Sequence, residues 1–321
     1  MDNTWRVAVG ARWEDYRQVA VDWNPYGFSL ADPQVTDDIE ELENGTFNED
    51  KVYPSLGLTY MGDLWADTFQ LRLGYSETAV RPDLREITDS SYIDPITDEL
   101  VRGNPGIVPA DVTNIDLRAE WYFGNGDNFT VTLFDKQIDN PIEFFEIPAS
   151  DTTIAREVEN ASEGTVQGIE VEFLKELAFL GGFWDTMFLQ GNVTFQDSEL
   201  VAGPNADNPT NAVRGLSGAS DYVANLMFGY DSPGAAHTAS LIYNVFGERL
   251  YVAGRLGSPD GYEQPFHSLD FTYFWYPTDQ ITLKVKLQNL LNESVQIERA
   301  GVVTFEEDPG TSYSLTFSWQ F

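Results

Sequence analysis

The chain ends in Tyr-Ser-Leu-Thr-Phe-Ser-Trp-Gln-Phe, residues 313–321, where large apolar and small polar side chains alternate without a break. Successive side chains of an extended strand point to opposite sides. One face therefore carries five apolar side chains: Tyr313, Leu315, Phe317, Trp319 and Phe321. The other face carries only serine, threonine and glutamine. Such a strand suits a wall between hydrocarbon and a water-filled lumen, and it predicts a membrane β-barrel.

The same alternation recurs along the chain and predicts about twelve strands of roughly ten residues each. Strong runs begin at Trp5, Phe69, Ile115, Phe129, Met187, Ala239, Leu269 and Ile281, and weaker runs lie near 53–60, 164–174 and 222–230. Polar or small residues fill the intervening positions. Charged side chains in the middle of a strand require a water-filled lumen on that side of the wall. The chain contains no stretch of about 18 apolar residues, so the sequence predicts no membrane-spanning helix. The predicted fold class is all-β, an antiparallel transmembrane β-barrel.

The connections between the predicted strands alternate between short and long. Short ones lie near 61–65, 124–127, 175–184, 231–234 and 277–279, and long ones near 18–50, 77–111, 139–162, 197–220, 247–265 and 292–311. Outer-membrane barrels have short periplasmic turns and longer extracellular loops. In a soluble sandwich, nothing requires the connections to alternate between short and long. With Phe321 on the periplasmic side, every long connection is predicted to be extracellular.

Composition excludes several functions. The net charge is −34, from 52 acidic and 18 basic residues, which argues against a nucleic-acid partner because phosphate binding needs lysine and arginine. The acidic clusters near 37–50 and 306–308 are interpreted as solvated loop surface. The chain contains no cysteine, which excludes thiolate chemistry.

The sequence also offers no enzyme motif. His237 and His267 are the only histidines, and no Gly-x-Ser-x-Gly, metal-ligand spacing or glycine-rich phosphate loop occurs. We therefore predict no catalytic residue, no metal ligand and no cofactor.

The aromatic residues fall into two predicted groups. Tryptophans on the apolar strand faces are interpreted as lipid-facing or interfacial residues: Trp5, Trp13, Trp121, Trp275 and Trp319. Aromatic residues in the long connections are candidates for substrate contact: Tyr92, Phe144, Phe145, Tyr251 and Tyr262.

Several short motifs occur in a fixed order along the chain. They are Ala79-Val80-Arg81-Pro82, Leu84-Arg85-Glu86, Gly103-Asn104-Pro105, Asn114-Ile115-Asp116-Leu117, Glu120-Trp121-Tyr122-Phe123, Asn140-Pro141-Ile142, Asn160-Ala161, Gly168-Ile169-Glu170 and Leu287-Gln288-Asn289-Leu290-Leu291-Asn292. In order and spacing these motifs resemble the barrel of TonB-dependent receptors, the gated transporters of the bacterial outer membrane.

The resemblance implies a barrel of about 22 strands whose lumen is plugged. It also implies an N-terminal plug domain, a TonB-type energising protein and a small nutrient ligand such as an iron chelate, a cobalamin or a glycan. Outer-membrane lipid and lipopolysaccharide would surround the barrel, and the assembly machinery would recognise the terminal residues 313–321.

Residues 1–321 are expected to form the C-terminal part of such a barrel, with the plug domain absent. Met1 leads directly to Trp5 and Val7 without the pattern of a signal peptide, so a mature or truncated chain is expected. The alternative is a stand-alone pore or adhesion barrel of about twelve strands. It would require the strand near Trp5 to pair with the strand near Phe321, because strand edges cannot remain unpaired in lipid. A soluble sugar-binding β protein is a third alternative.

Overall fold

The computed structural model describes residues 4–19, 46–88, 91–93, 100–148 and 154–321. Its main element is an antiparallel sheet of 13 strands. Numbered along the chain, the strands that follow one another across this sheet are β1 (Thr4–Val19), β2 (Thr46–Gly62), β3 (Thr68–Val80), β6 (Ala110–Tyr122), β7 (Asn128–Asp139), β10 (Glu163–Glu176), β11 (Met187–Val201), β13 (Tyr222–Asp231), β14 (His237–Phe246), β17 (Phe266–Thr278), β18 (Ile281–Gln288) and β21 (Ser312–Trp319). The short strand β12 (Val213–Arg214) pairs with β11.

These wall strands confirm the predicted alternating runs. Several wall strands are longer than predicted: β1 has 16 residues and β2 has 17. At the carboxyl terminus the strand ends at Trp319 although the alternation continues to Phe321. The Gln320 amide still donates to the Gln280 carbonyl at 2.9 Å, so the backbone stays beside the preceding turn.

The strand register aligns apolar side chains in rows across the sheet. One row crosses seven strands through Val7, Leu58, Leu73, Leu117, Leu133, Ile169 and Phe195. A second row of aromatic rings lies nearer the short turns, with centroid separations of 5.0 to 6.5 Å between neighbours: Trp5, Tyr60, Phe69, Trp121 and Phe129. These rows form the outward face, and many of their side chains are exposed.

The opposite face of the sheet is polar and ionic. Arg118 Nε lies 3.0 Å from Glu120 Oε1, and Arg118 Nη2 lies 2.6 Å from Glu172 Oε2. Arg72 Nε lies 2.8 Å from Glu120 Oε2. Charged residues at mid-strand therefore pair with one another on one side, while apolar residues occupy the other, as in a barrel wall between lumen and lipid.

The long connections contain strands that the sequence did not predict. Two further sheets of four strands form there, and we call them the first and second loop sheets. In sheet order, the first contains β4 (Ser91–Ile93), β5 (Leu100–Arg102), β9 (Ile154–Asn160) and β8 (Ile142–Pro148), and the second contains β15 (Arg249–Val252), β16 (Gly261–Glu263), β19 (Val295–Arg299) and β20 (Val302–Glu307). Strands of three to seven residues are too short for a periodic pattern to reveal.

The remaining connections fit the prediction where they are described. The predicted 18–50 connection is too long at both ends, because β1 runs to Val19 and β2 begins at Thr46, and its residues 20–45 lie outside the described residues. Between β10 and β11 the chain forms two short 3-10 helices, Ala178–Leu180 and Gly182–Thr186. In the described part of the chain, no helix has both the length and the hydropathy needed to cross a membrane.

The buried core lies at the loop end of the sheet. Phe145, Ala161 and Leu200 form its centre, and Leu216 packs against them. The wall strands have little buried core of their own, because one face of the sheet is apolar and exposed and the other is polar. Within the described residues, the close-packed cluster forms where the loop sheets and the 202–220 segment cover the ends of the strands.

The two edges of the main sheet are β1 and β21. Among the described residues no strand pairing joins them, although a stand-alone barrel of twelve strands would require that pairing. All eight residues of β21 are exposed. Each edge thus presents unpaired backbone groups, which a spanning sheet must satisfy with further strands.

Candidate functional site

The loop end of the sheet is held together by the motifs that the sequence analysis singled out. The Asn104 amide donates to the Glu86 carbonyl at 2.6 Å, so the Gly103-Asn104-Pro105 turn packs on the Leu84-Arg85-Glu86 turn. A Cβ on Gly103 would lie 2.2 Å from the Arg85 carbonyl oxygen, which requires glycine there. These motif residues therefore shape the loop.

Asn160 joins three segments of the same region. Its Nδ2 donates to the carbonyls of Val108 at 3.0 Å and Asn140 at 2.9 Å, while its Oδ1 accepts from the Val108 amide at 2.9 Å. Its carboxamide thus satisfies backbone groups that the sheets leave unpaired.

Arg81 performs a similar role at the loop ends of β1 and β2. Its guanidinium lies 2.9 Å from Glu49 Oε2 and 3.1 Å from Glu14 Oε2, and it donates to the Tyr53 hydroxyl at 2.9 Å. It also stacks over the Tyr16 ring at 4.3 Å. The Arg-Pro motif therefore ends β3 and ties it to its neighbours.

A buried ion pair connects the 202–220 segment to the first loop sheet. Arg214 Nη2 lies 3.3 Å from Glu143 Oε2, and the Arg214 side chain is 2% exposed. Glu143 also accepts from the Ser217 hydroxyl at 2.6 Å and from the Ser217 amide at 3.2 Å. The Arg214 guanidinium lies 5.1 Å from the centre of the Phe145 ring. A backbone bridge between Phe145 and Ala253 links the two loop sheets.

Two concavities open beside the second loop sheet, and both are lined by Glu248 and Tyr262. The first, of about 460 Å³, is bordered by Asp197, Asp221 and Arg249 among others. The second is about 360 Å³, and its polar lining consists of carboxylates, carboxamides and one phenol: Glu248, Asp260, Glu298, Asn211, Gln264 and Tyr262.

Charge and burial affect the titrating groups of this region. Burial, with Asp260 and Glu248 nearby, raises the pKa of the Tyr262 phenol, so it stays a neutral hydrogen-bonding group. Burial and the neighbouring Glu157 also raise the pKa of Glu159. At Asp207, a hydrogen bond from Arg255 lowers the pKa of the carboxyl group.

The loop aromatics predicted from the sequence occupy different environments. Tyr262 lines both concavities, and Tyr251 lies on the adjacent strand with the Arg156 guanidinium 4.5 Å from its ring centre. Phe145 is 2% exposed and belongs to the core, while Phe144 is partly exposed on β8. Tyr92 lies on β4, at the far edge of the first loop sheet, with Arg85 over its ring at 5.4 Å. Substrate contact by any of them stays a prediction.

Sequence reasoning missed the polar residues around Tyr262. Asp260 accepts from the Gly254 amide at 2.6 Å and from Asn211 Nδ2 at 2.8 Å, which fixes the wall of the second concavity. In a chain with 52 acidic residues, a single aspartate carries little information. The Pro259-Asp260-Gly261 turn signal was the one available hint.

The two histidines are engaged with tyrosines on the wall. His237 Nδ1 lies 2.7 Å from the Tyr273 hydroxyl, and His267 Nδ1 lies 2.6 Å from the Tyr243 hydroxyl. Within the ranges that the structure describes, no group of three or more histidine, aspartate or glutamate side chains is arranged to hold a metal ion.

Comparison with known proteins identifies the family. The family model for the TonB dependent receptor-like beta-barrel matches residues 1–290. The chain therefore belongs to the TonB-dependent receptor family, as the motifs predicted. Members of this family are non-enzymatic transport proteins of the bacterial outer membrane, which confirms the predicted location and the prediction that the chain is not an enzyme.

Solved structures of this family share the fold. The ferric enterobactin receptor PfeA of Pseudomonas aeruginosa, as a G324V mutant, is 17% identical with a TM-score of 0.57, over 86% of this chain and 41% of that one. The copper transporter OprC is 15% identical with a TM-score of 0.66, over 99% of this chain and 47% of its own. The ferric-catecholate import receptor Fiu from K12 E. coli is 14% identical with a TM-score of 0.63, over 99% and 42%.

This chain thus spans less than half the length of the structures that it matches. None of the curated proteins matches it.

Proposed function

We propose that this chain is the C-terminal part of the barrel of a TonB-dependent transporter that imports a small nutrient. The family match over residues 1–290 carries this proposal. The unpaired edges at β1 and β21 support it, because a family barrel of about 22 strands would supply the strands that satisfy them.

In this proposal the polar face of the sheet encloses a plug domain carried elsewhere in the full-length protein. The ionic network of Arg72, Glu120, Arg118 and Glu172 faces that lumen. A TonB-type protein would supply the energy that moves the plug and releases the nutrient inward.

The ligand is proposed to bind at the loop end and to carry no net negative charge. Arginines of this region are already engaged with carboxylates: Arg214 with Glu143, Arg249 with Glu263, Arg255 with Asp207, and Arg299 with Glu146. The second concavity combines Glu248, Asp260 and Glu298 with hydrogen-bonding amides. An anionic chelate would meet these carboxylates there, which costs binding energy.

A neutral or cationic metal complex is the first candidate, and a neutral glycan fragment is the second. Iron and copper, named for the structural neighbours, support the metal complex. Tyr262 is the first proposed contact and Tyr251 the second, because Tyr262 lines both concavities. Phe145 could contact a ligand only if the loop core opened.

The terminal residues are proposed to act during assembly. Tyr313, Leu315, Phe317, Trp319 and Phe321 are all exposed on the edge strand or just beyond it. They would be recognised by the barrel-assembly machinery before the barrel closes, and would afterwards contact outer-membrane lipid and lipopolysaccharide.

Uptake measurements in cells that carry the complete gene test the proposed function. Labelled ferric and copper complexes of different net charge would be supplied with and without a functional TonB-type protein. We expect uptake of a neutral or cationic complex that disappears without the energising protein. Tyr262→Ala should reduce that uptake, and Tyr276→Ala, at the short-turn end of β17, should not. Uptake that persists without the energising protein would support a passive pore instead.

A further inference from the structure

Lys175 has an unusual place on the barrel wall. The chain has five lysines, and the register places four of them on the polar face: Lys51, Lys136, Lys284 and Lys286. Lys175 instead follows Val171 and Phe173 on the outward face of β10 and pairs with Leu189 of β11. It lies at the short-turn end of its strand, where a lysine can reach the headgroup level of a membrane.

An apolar groove begins beside Lys175. Its volume is about 550 Å³, and its apolar lining includes Phe129, Phe173 and Leu189 of three adjacent strands. Phe129 is also the last ring of the aromatic row that starts at Trp5. The groove is therefore continuous with the lipid-facing surface of the barrel.

The end of the groove nearest the turns carries the Lys175 ammonium beside the Asp127 carboxylate. Lys175 Nζ donates to Asp127 Oδ2, and Asp127 Oδ1 accepts from the Glu176 amide at 2.7 Å. Burial acts to raise the Asp127 pKa, but the hydrogen bonds from Lys175, Asn125 and Glu176 outweigh it and lower the pKa. The Lys175 side chain is 44% exposed, and an ammonium has three donors, so Nζ can also serve a second acceptor.

The two 3-10 helices extend the apolar surface around this end. The centre of the Phe179 ring lies 4.9 Å from Lys175 Nζ. Phe179 and Phe183 are among the most exposed apolar side chains of the described residues. The Trp184 ring lies 6.3 Å from Phe228, which shares the outward face with Leu189 and Leu241. Exposed aromatic side chains at the end of a membrane wall are typical of the bilayer interface.

We propose that this groove binds one zwitterionic phospholipid of the periplasmic leaflet, of the phosphatidylethanolamine type. An acyl chain lies over Phe129, Phe173 and Leu189, the phosphate accepts a hydrogen bond from Lys175, and the headgroup ammonium lies beside Asp127. The leaflet follows from the position of the groove at the short turns, which face the periplasm in outer-membrane barrels. The proposal does not depend on which nutrient is imported.

Native mass spectrometry of the full-length protein, purified in detergent and titrated with defined lipids, tests this site. We expect Lys175→Gln to lower the affinity for phosphatidylethanolamine about tenfold, since it removes a charge-assisted hydrogen bond. Lys136→Gln is the matched control, because it removes the same charge from the polar face and should leave the affinity unchanged. Equal affinities of the wild type and Lys175→Gln would overturn the proposal.

A second variant and a second lipid separate the site from general effects. Phe179→Ser leaves the Lys175–Asp127 pair in place and should also weaken phosphatidylethanolamine binding, and unchanged binding would count against the site. Phosphatidylglycerol should bind more weakly than phosphatidylethanolamine, because it brings an anion to Asp127 without an ammonium. A preference for phosphatidylglycerol would contradict the assigned headgroup. Heat-modifiable gel mobility would show that each variant is folded.

Discussion

At the scale of single residues, neighbours in one wall strand face different solvents. Phe195 of β11 is exposed on the outward face and pairs with Ile169, whereas Thr194 faces the lumen and pairs with Glu170. Successive side chains of a strand point to opposite sides, so the position along the strand decides which side each of them faces. The same substitution should therefore destabilise the protein much more at Phe195 than at Thr194.

We expect Phe195→Arg to reduce the free energy of unfolding by up to about 2–4 kcal/mol, because it places a charge on the lipid-facing side of the wall and that cost is largest near mid-bilayer. Thr194→Arg is the control, and its guanidinium would lie near the Glu170 carboxylate and cost little. Urea titration of the full-length protein in lipid vesicles measures both. Similar losses for the two variants would contradict the assigned faces.

Residues of the candidate site were less predictable than residues of the wall. Tyr262 could be proposed from the sequence because an aromatic residue in a long connection is conspicuous. Glu248 and Asp260 could not be proposed from the sequence, because each is one of 52 acidic residues. Only the folded second loop sheet brings them beside Tyr262. Their proximity results from contacts between separate connections, which no local pattern encodes.

At the scale of elements, the loop sheets depend on contacts between connections that are distant in sequence. Glu143 of β8 and Arg214 of β12 are 71 residues apart, yet they form a buried pair between two connections. Removing one partner of a buried pair leaves the other charge uncompensated, which costs far more than losing an exposed pair.

We expect Glu143→Ala to destabilise the packing of the 202–220 segment by about 3–5 kcal/mol, since Arg214 would remain buried without its carboxylate. Protease treatment of intact cells would measure this as faster cleavage within 202–220, with the barrel itself unchanged. Asp207→Ala breaks the more exposed pair with Arg255 in the same segment and serves as the control. Equal cleavage of the two variants would show that the buried pair does not hold the segment.

At the scale of the whole molecule, the arrangement of β1 and β21 separates the two barrel hypotheses. In the sheet they are the first and last strands, with no pairing between them among the described residues. A transporter barrel places further strands between them, while a stand-alone barrel requires them to be neighbours.

Residues 1–321 contain no cysteine, so cysteine pairs introduced here report this arrangement once any cysteine elsewhere in the full-length protein is replaced. Val7→Cys combined in turn with Leu315→Cys, Phe317→Cys or Trp319→Cys should form no intramolecular disulfide in the full-length protein. A disulfide needs Cα atoms within about 7 Å. Leu283→Cys with Phe317→Cys is the positive control, because these residues are opposite each other in the β18–β21 register. Efficient linkage of β1 to β21 would favour the small barrel.

The sequence alone determined the wall of this protein: its strands, their order, their apolar face and the alternation of short and long connections. These features are local, because strand parity and turn chemistry are repeated every few residues and the surrounding lipid and lumen impose that repeat. Its family motifs were also visible, since each shapes a short loop.

Only the tertiary structure decided the loop sheets, the buried Glu143–Arg214 pair, the concavities beside Tyr262 and the groove beside Lys175. Each of these depends on which strands become neighbours and on how distant connections pack against one another. Such contacts follow from the register of the whole sheet. No local sequence pattern therefore predicts which residues form them.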